Sequence, residues 1–506
     1  MGVTLWASVL CCCTILWITL AVSGKKQYQA RIRACGHPPR PVPYHLPFGL
    51  DLVCHLVWRL WQHDFVNYGW EILDVPGRTV ELNLLSRRII VTDNPENIKA
   101  VMLSQFGEFK RDHAVHNAFH NIFGDSIFTS EGESWIRAKN DIRPQIAHIR
   151  PADLTTTEFH IQKMFDLIRT KPDGINVYEA MDRLQLDIVT DVFLGRSINS
   201  LTMKRSPIQD AIDRLVEMSM LRIRVGPMGQ FLPDWLLAPR ELKVLDRFMD
   251  GVVDKALAQT KEKPDAEADG NLNLVLEMAQ KGRGRKYIRE QITGVVFLAS
   301  KDPTAITIAW AVLELARNPD IMASLRKEVE ENIGLDRLPT GDQLKRLPLL
   351  RNVIRETMRL YPPLGLNVRQ ARHDLSLPSG GGPNGKLPVA VLQGQQVAIA
   401  VTHAQRRAEG LIDGETWIPS RWEGWTPKST EYLPFNIGPR ICLGRNFGIL
   451  QVEYTLVRLL QEFEGFAWLD GGDRERKMKF KVELNAKAAE AIVCRFVERG
   501  MSRDGV

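Results

Sequence analysis

The chain opens on apolar residues: Val3 to Val22 (VTLWASVLCCCTILWITLAV) runs for 20 residues without a charge. That is the length a helix needs to cross a bilayer core. Five basic residues, Lys25, Lys26, Arg31, Arg33 and Arg40, precede the first acidic one, Asp51. The bias predicts a single-pass membrane anchor with the bulk of the chain on the cytosolic side. The alternative is a cleaved signal peptide ending at Ala21-Val22-Ser23. No Lys or Arg precedes the run and it is long for such a peptide, which favours the anchor. His37-Pro38-Pro39-Arg40-Pro41-Val42-Pro43 is too rich in proline for helix or sheet and reads as a stiff extended spacer. Thr79 to Thr92 (TVELNLLSRRIIVT) predicts a hairpin turning at Ser86-Arg87-Arg88. Asn94 then caps a helix with Pro95 in its first turn. From about 150 to 360 the pattern is that of long helices, broken most clearly by a polar loop at 261–270. Residues 364 to 425 carry short β runs, such as Leu387 to Val391 and Val397 to Val401, between Gly/Pro turns. Helix returns after Cys442. The pattern predicts a mainly α fold with a smaller β-rich portion. Its organisation is an anchor over 1–22, a basic and proline-rich hinge over 23–48 and one domain over 49–506.

Composition changes this picture little. Of 506 residues, 44% are hydrophobic and 25% charged, which is ordinary for a globular chain. A net charge of +6 with no dense basic run argues against nucleic-acid binding. Three of the seven cysteines sit in the apolar run. Cys35, Cys54, Cys442 and Cys494 are too sparse for a disulfide framework and point to a reducing compartment.

The sharpest chemical pattern is Phe435-Asn436-Ile437-Gly438-Pro439-Arg440-Ile441-Cys442-Leu443-Gly444. A thiolate ligates haem iron axially and pushes electron density toward it. Gly438 and Gly444 let the backbone fold tightly round the sulfur, so that amide N–H groups donate to it. Arg440 is placed to pair with a haem carboxylate, and Phe435 to shield the thiolate from water. This F-x-x-G-x-R-x-C-x-G pattern resembles the haem-binding signature of the cytochrome P450 superfamily, which implies haem b with Cys442 as metal ligand.

Other positions extend the resemblance over essentially the whole chain. Glu356-Thr357-Met358-Arg359 matches the family's E-x-x-R, its ends on one helix face. Taken alone it reads as a surface ion pair. Pro419-Ser420-Arg421-Trp422 is similar to the family's P-E-R-W, with Ser in place of Glu, and implies that Arg421 joins Glu356 and Arg359 in one cluster. Trp135-Ile136-Arg137-Ala138-Lys139 resembles the W-x-x-x-R segment that contacts a haem carboxylate. Lys139 keeps the charge but loses the bidentate fork. Arg369 matches a further carboxylate-contacting arginine. Leu377 to Gly385 (LPSGGGPNG) is similar to an insertion of fungal alkane- and fatty-acid-hydroxylating members and reads as a glycine-rich hairpin.

The resemblance breaks at the oxygen-activating helix. Where the family has A-G-x-(D/E)-T-T, this chain has Ala299-Ser300-Lys301-Asp302-Pro303-Thr304. Pro303 removes a hydroxyl and, lacking an N–H, cannot bond the Ala299 carbonyl. Asp302 keeps the acid of a proton relay. Ser300 and Thr304 carry hydroxyls that serve water-mediated proton transfer or simply bond helix carbonyls. The resemblance implies an endoplasmic-reticulum monooxygenase whose catalytic domain faces the cytosol. It would take NADPH electrons through a separate NADPH-cytochrome P450 reductase and hydroxylate a lipophilic long-chain, fatty-acid or polyketide-like substrate in specialised metabolism. Pro303 leaves open a peroxide-dependent peroxygenase or an isomerase, and the joint departures leave open a non-catalytic haem protein.

Overall fold

The computed structural model describes residues 26–85, 87–147, 149–224, 238–262, 273–469 and 476–500. The anchor expected over Val3 to Val22, and all but the first two residues of the loop expected at 261–270, lie outside them. Among the described residues one stretch, Arg285–Arg317, is long and apolar enough to cross a membrane, and most of it is buried in the protein. The chain divides into two compact units.

The first unit combines Met1–Trp58, Asn67–Lys110 and Asn367–Ala400. Its six-stranded sheet runs in the order Arg40–Pro41, Thr79–Leu84, Arg87–Thr92, Gln396–Ala400, Leu366–Ala371, Phe109–Lys110. The expected hairpin forms in antiparallel register from Thr79 opposite Thr92 to Leu84 opposite Arg87. Arg87 and Arg88 therefore belong to the second strand and not to the turn. Asn94 caps the next helix as expected, its side chain accepting from the Glu96 and Asn97 N–H groups.

The proline-rich segment corrects the sequence reading. Arg40 and Pro41 pair in parallel with Val80 and Glu81, and the Val42 N–H donates to the Glu81 carbonyl. His37 exchanges backbone bonds with the strand Leu387–Val391. Proline is tolerated here because the segment lies at a sheet edge, where not every N–H must join a ladder. The glycine-rich hairpin is present, Leu375–Gly381 against Leu387–Val391.

The second unit holds Arg59–Val66, Arg111–Leu366 and Val401–Val506, and is mainly helical. Its centre is the helix Asp302–Arg317, in which every residue from Thr304 to Ala316 is buried. A helix buried on all sides belongs in a core interior. Trp310 of this helix stacks on Tyr361 with ring centroids 4.0 Å apart. The helix Pro348–Leu360 carries the Glu356–Arg359 pair, which is fully buried and not on the surface. Glu356 accepts from Arg359 Nε at 2.8 Å, Arg421 Nε at 2.8 Å, Trp422 Nε1 at 3.0 Å and the Ile418 N–H at 2.8 Å. Ser420, the departure in that motif, is exposed, so a small hydroxyl there disturbs none of these bonds.

Candidate active site

Cys442 lies in the second unit, between the short turn Gly438–Arg440 and the helix Arg445–Glu462. The Cys442 N–H donates to the Phe435 carbonyl at 2.9 Å, closing the loop. Two residues inside it take left-handed backbone, Asn436 at φ 65° and Gly438 at φ 75°. Glycine is required at the second by this strain, and asparagine tolerates the first. Gly444 has an ordinary φ of −84°, so its role is not left-handed freedom. A side chain built there would come within 3.5 Å of Ile146 and 3.9 Å of Cys442 Sγ, and its own N–H bonds the sulfur. Cys442 is exposed as a residue, although its thiol is crowded by its neighbours. Burial pushes it up, while the Gly444 N–H works the other way. Phe435 packs, half-buried, against the main core.

The helix Gly132–Ala147 brings Trp135 and Lys139 to this loop. Lys139 Nζ donates to the Pro439 carbonyl at 3.1 Å and lies 5.1 Å from the Trp135 ring centroid. The Arg440 guanidinium lies 4.4 Å from the same ring and pairs with Glu131 at 2.7 Å. Two cations thus flank one indole beside the cysteine loop. Glu131, which the sequence reading missed, holds both Arg440 and the Arg111 N–H. Its distance in sequence from Arg440 left no local pattern to find it by. Arg369 belongs to the first unit, buried, with Nη1 donating to Asn367 Oδ1 at 3.0 Å and to the Val368 carbonyl at 3.1 Å.

The helix Arg285–Thr293 continues into a π-helical segment, Gly294–Ser300, and restarts as Asp302–Arg317. Pro303 stands at this restart, where its missing N–H falls in the first turn and costs little. Thr304 Oγ1 lies 3.9 Å from where a side chain on Gly448 of the post-cysteine helix would begin. It donates to the Ser300 carbonyl at 3.4 Å, and Ser300 Oγ donates to the Val295 carbonyl at 2.8 Å. Both hydroxyls bond helix carbonyls, as isolated Ser and Thr on helices commonly do.

Lys301, the second unforeseen residue, lies buried between carboxylates. Its Nζ is 2.8 Å from Asp182, 2.8 Å from Asp302 and 3.3 Å from Asp213. Burial works against its charge, but Asp182, Asp302 and Asp213 together hold it well above the usual lysine value. The two main acceptors diverge. Burial pushes Asp182 up in spite of Lys301. Asp302 is less enclosed, and there Lys301 outweighs burial and draws the carboxyl down. Asp302 also accepts from Asn485 Nδ2 at 3.4 Å.

An exposed cysteine with an N–H on its sulfur, and two cations at its loop, is a donor set suited to an iron porphyrin bearing carboxylates. The site therefore defines a haem-thiolate protein. The cytochrome P450 family model matches residues 44–493, and the chain belongs to that family. It is 32% identical over 494 residues to cytochrome P450 monooxygenase pvhE of Talaromyces variabilis, covering 92% of this chain and 91% of the relative. It is 31% identical to cytochrome P450 52E1 of Candida apicola, covering 93% and 94%. The crystal structure of the cytochrome P450DA heme domain superposes with a TM-score of 0.75 at 21% identity, over 92% of this chain and 98% of that one, and shows the shared fold. The protein is accordingly a cytochrome P450 monooxygenase.

Proposed function

We propose that this monooxygenase hydroxylates a lipophilic substrate, namely a long alkyl chain, a fatty acid or a polyketide-like metabolite, in a specialised biosynthetic step at the endoplasmic reticulum. Its electrons come from NADPH through a separate reductase. The observation that carries the reading is the complete cysteine loop, with the Gly444 N–H on the sulfur. The hairpin over Leu377 to Gly385, similar to that of fungal chain-hydroxylating members, supports the substrate class.

Cys442, Trp135, Lys139 and Arg440 would hold haem b, which when bound supplies oxygen activation. Gly444 N–H stabilises the Cys442 thiolate against the burial that opposes it. Lys301 keeps Asp302 charged at its Oδ1, so this carboxylate stands in the deprotonated form that a proton relay needs at its accepting end. Thr304 Oγ1 holds its proton toward the Ser300 carbonyl until a better acceptor displaces it.

Pro303 favours a second reading, a peroxide-dependent reaction, because it removes the hydroxyl nearest in sequence to Asp302. The test is product formation by the membrane-expressed protein on long-chain acids, alcohols and polyketides. One arm supplies NADPH, reductase and oxygen, and the other hydrogen peroxide alone. Product in the first arm only is expected. Product in the peroxide arm only overturns the proposal in favour of the second reading.

A further inference from the structure

The helix His113–Phe123 carries three histidines, at 113, 116 and 120. His116 and His120 are four apart and share a face. Their ring centroids are 5.0 Å apart. Gly124, at φ 51°, ends the helix and reverses the chain, which returns Asp125 beside His120. The Asp125 carboxylate lies 3.6 Å from His120 Nε2. One nitrogen of each ring and one carboxylate oxygen all fall within 4.8 Å of one another.

His116 Nδ1 lies 3.0 Å from the Thr129 carbonyl. A carbonyl can only accept, so Nδ1 carries the proton and the lone pair is on Nε2. Histidines that bind metals are held in this way, with the other ring N–H on a carbonyl or carboxylate. Thr129 is itself fixed, its Oγ1 donating to the Gly124 carbonyl at 2.5 Å and its N–H to the Ser126 carbonyl at 3.0 Å.

We propose that His116, His120 and Asp125 bind one divalent transition-metal ion of the zinc class. Two imidazoles and a carboxylate suit zinc, with water in the fourth position. Tetrahedral zinc at about 2.0–2.1 Å from its ligands places them roughly 3.3–3.4 Å apart, close to the His120–Asp125 gap. The three ligand atoms, within 4.8 Å of one another, draw in by small shifts that leave the His116 Nδ1 bond to Thr129 in place. The ion fastens the end of the helix to the loop 124–131. That loop is also gripped by Gln291, whose side chain accepts from the Ile127 N–H at 2.8 Å and donates to the Asp125 carbonyl at 2.9 Å. It ends at Glu131, the partner of Arg440. Zinc therefore stiffens a loop whose other contacts reach the cysteine loop and the helix leading into the π segment.

The test is equilibrium dialysis of tag-free holoenzyme against zinc alone, with bound metal quantified, alongside amide hydrogen exchange over 113–131. One equivalent is expected at free zinc on the order of 10 μM, with exchange slowed at 124–131. The H116N/H120N double variant is expected to bind more than about tenfold more weakly and to lose the slowing. D125N alters an exposed carboxylate and tests the site should the double variant fold poorly, with weakening of about tenfold expected. No zinc bound by the wild type overturns the proposal, as does unchanged binding in either variant.

Discussion

Replacing Lys301 with methionine removes a buried cation while keeping the length and much of the volume of the side chain. Lys301 and Asp182 are 2% and 6% exposed, so the loss strands Asp182 in the core. Asp302 and Asp213, at 26% and 57%, can turn to water. Breaking a buried pair from one side costs about 3–5 kcal/mol. A chain of 506 residues melting cooperatively loses about 1 °C per kcal/mol, so the melting midpoint should fall by about 3–5 °C at pH 8. The deficit depends on pH with a definite sign. Burial already raises the Asp182 carboxyl, and losing Lys301 raises it further. A carboxyl raised in the folded state contributes its stability below its unfolded value and loses it as pH climbs through the folded one. The deficit must therefore shrink on acidification from pH 8 toward pH 5. Adding D182N to the variant removes the stranded acid and should restore more than about half of the loss. Midpoints followed by far-UV circular dichroism, from pH 5 to 8, check both effects. A loss under about 1 kcal/mol at pH 8, or no rescue by D182N, would refute the reasoning.

Glu356→Gln takes the counter-charge from Arg359, which is 0% exposed, and should cost about 3–5 kcal/mol, read as a lowered unfolding midpoint and a lower yield of haem-loaded protein. Glu453, whose carboxyl burial pushes up to about 7, gives its stability below its unfolded value and loses it between about 4.5 and 7. Glu453→Gln should therefore raise the melting midpoint at pH 8 and leave it unchanged at pH 4.5. Cys442→Ser should abolish the thiolate-ligated haem absorption and reduce turnover to background, while far-UV circular dichroism stays that of the wild type.

The cysteine loop was legible because its chemistry fixes residue types at short spacing: a ligand, two glycines and a cation within ten positions. The hairpin at Thr79–Thr92 was legible for a similar reason, since strand alternation is local. The Lys301 cluster was not. Its main partner is 119 residues away on another helix, and no local pattern separates a buried lysine from a solvated one. Glu131 escaped notice in the same way, 309 residues from Arg440. The Glu356–Arg359 pair shows the opposite case. Spacing alone suggested a surface pair, and only the resemblance, with Arg421 and Trp422, implied its place in the core. The proline-rich segment misled because proline's missing N–H argues against a ladder in general, but not at an edge where the neighbouring Val42 supplies the donor.

The indole of Trp135, with Lys139 and Arg440 both close to its ring, has an optical consequence. Fixed positive charges beside an indole shift the energy of its excited state, so this ring should emit at a wavelength of its own. A porphyrin bound at the neighbouring cysteine would absorb that emission by resonance transfer. Subtracting the spectrum of a Trp135→Phe variant isolates this ring from the other tryptophans among the chain's 12. The protein thus carries a built-in fluorescent gauge of cofactor loading, readable during folding and assembly without any added dye.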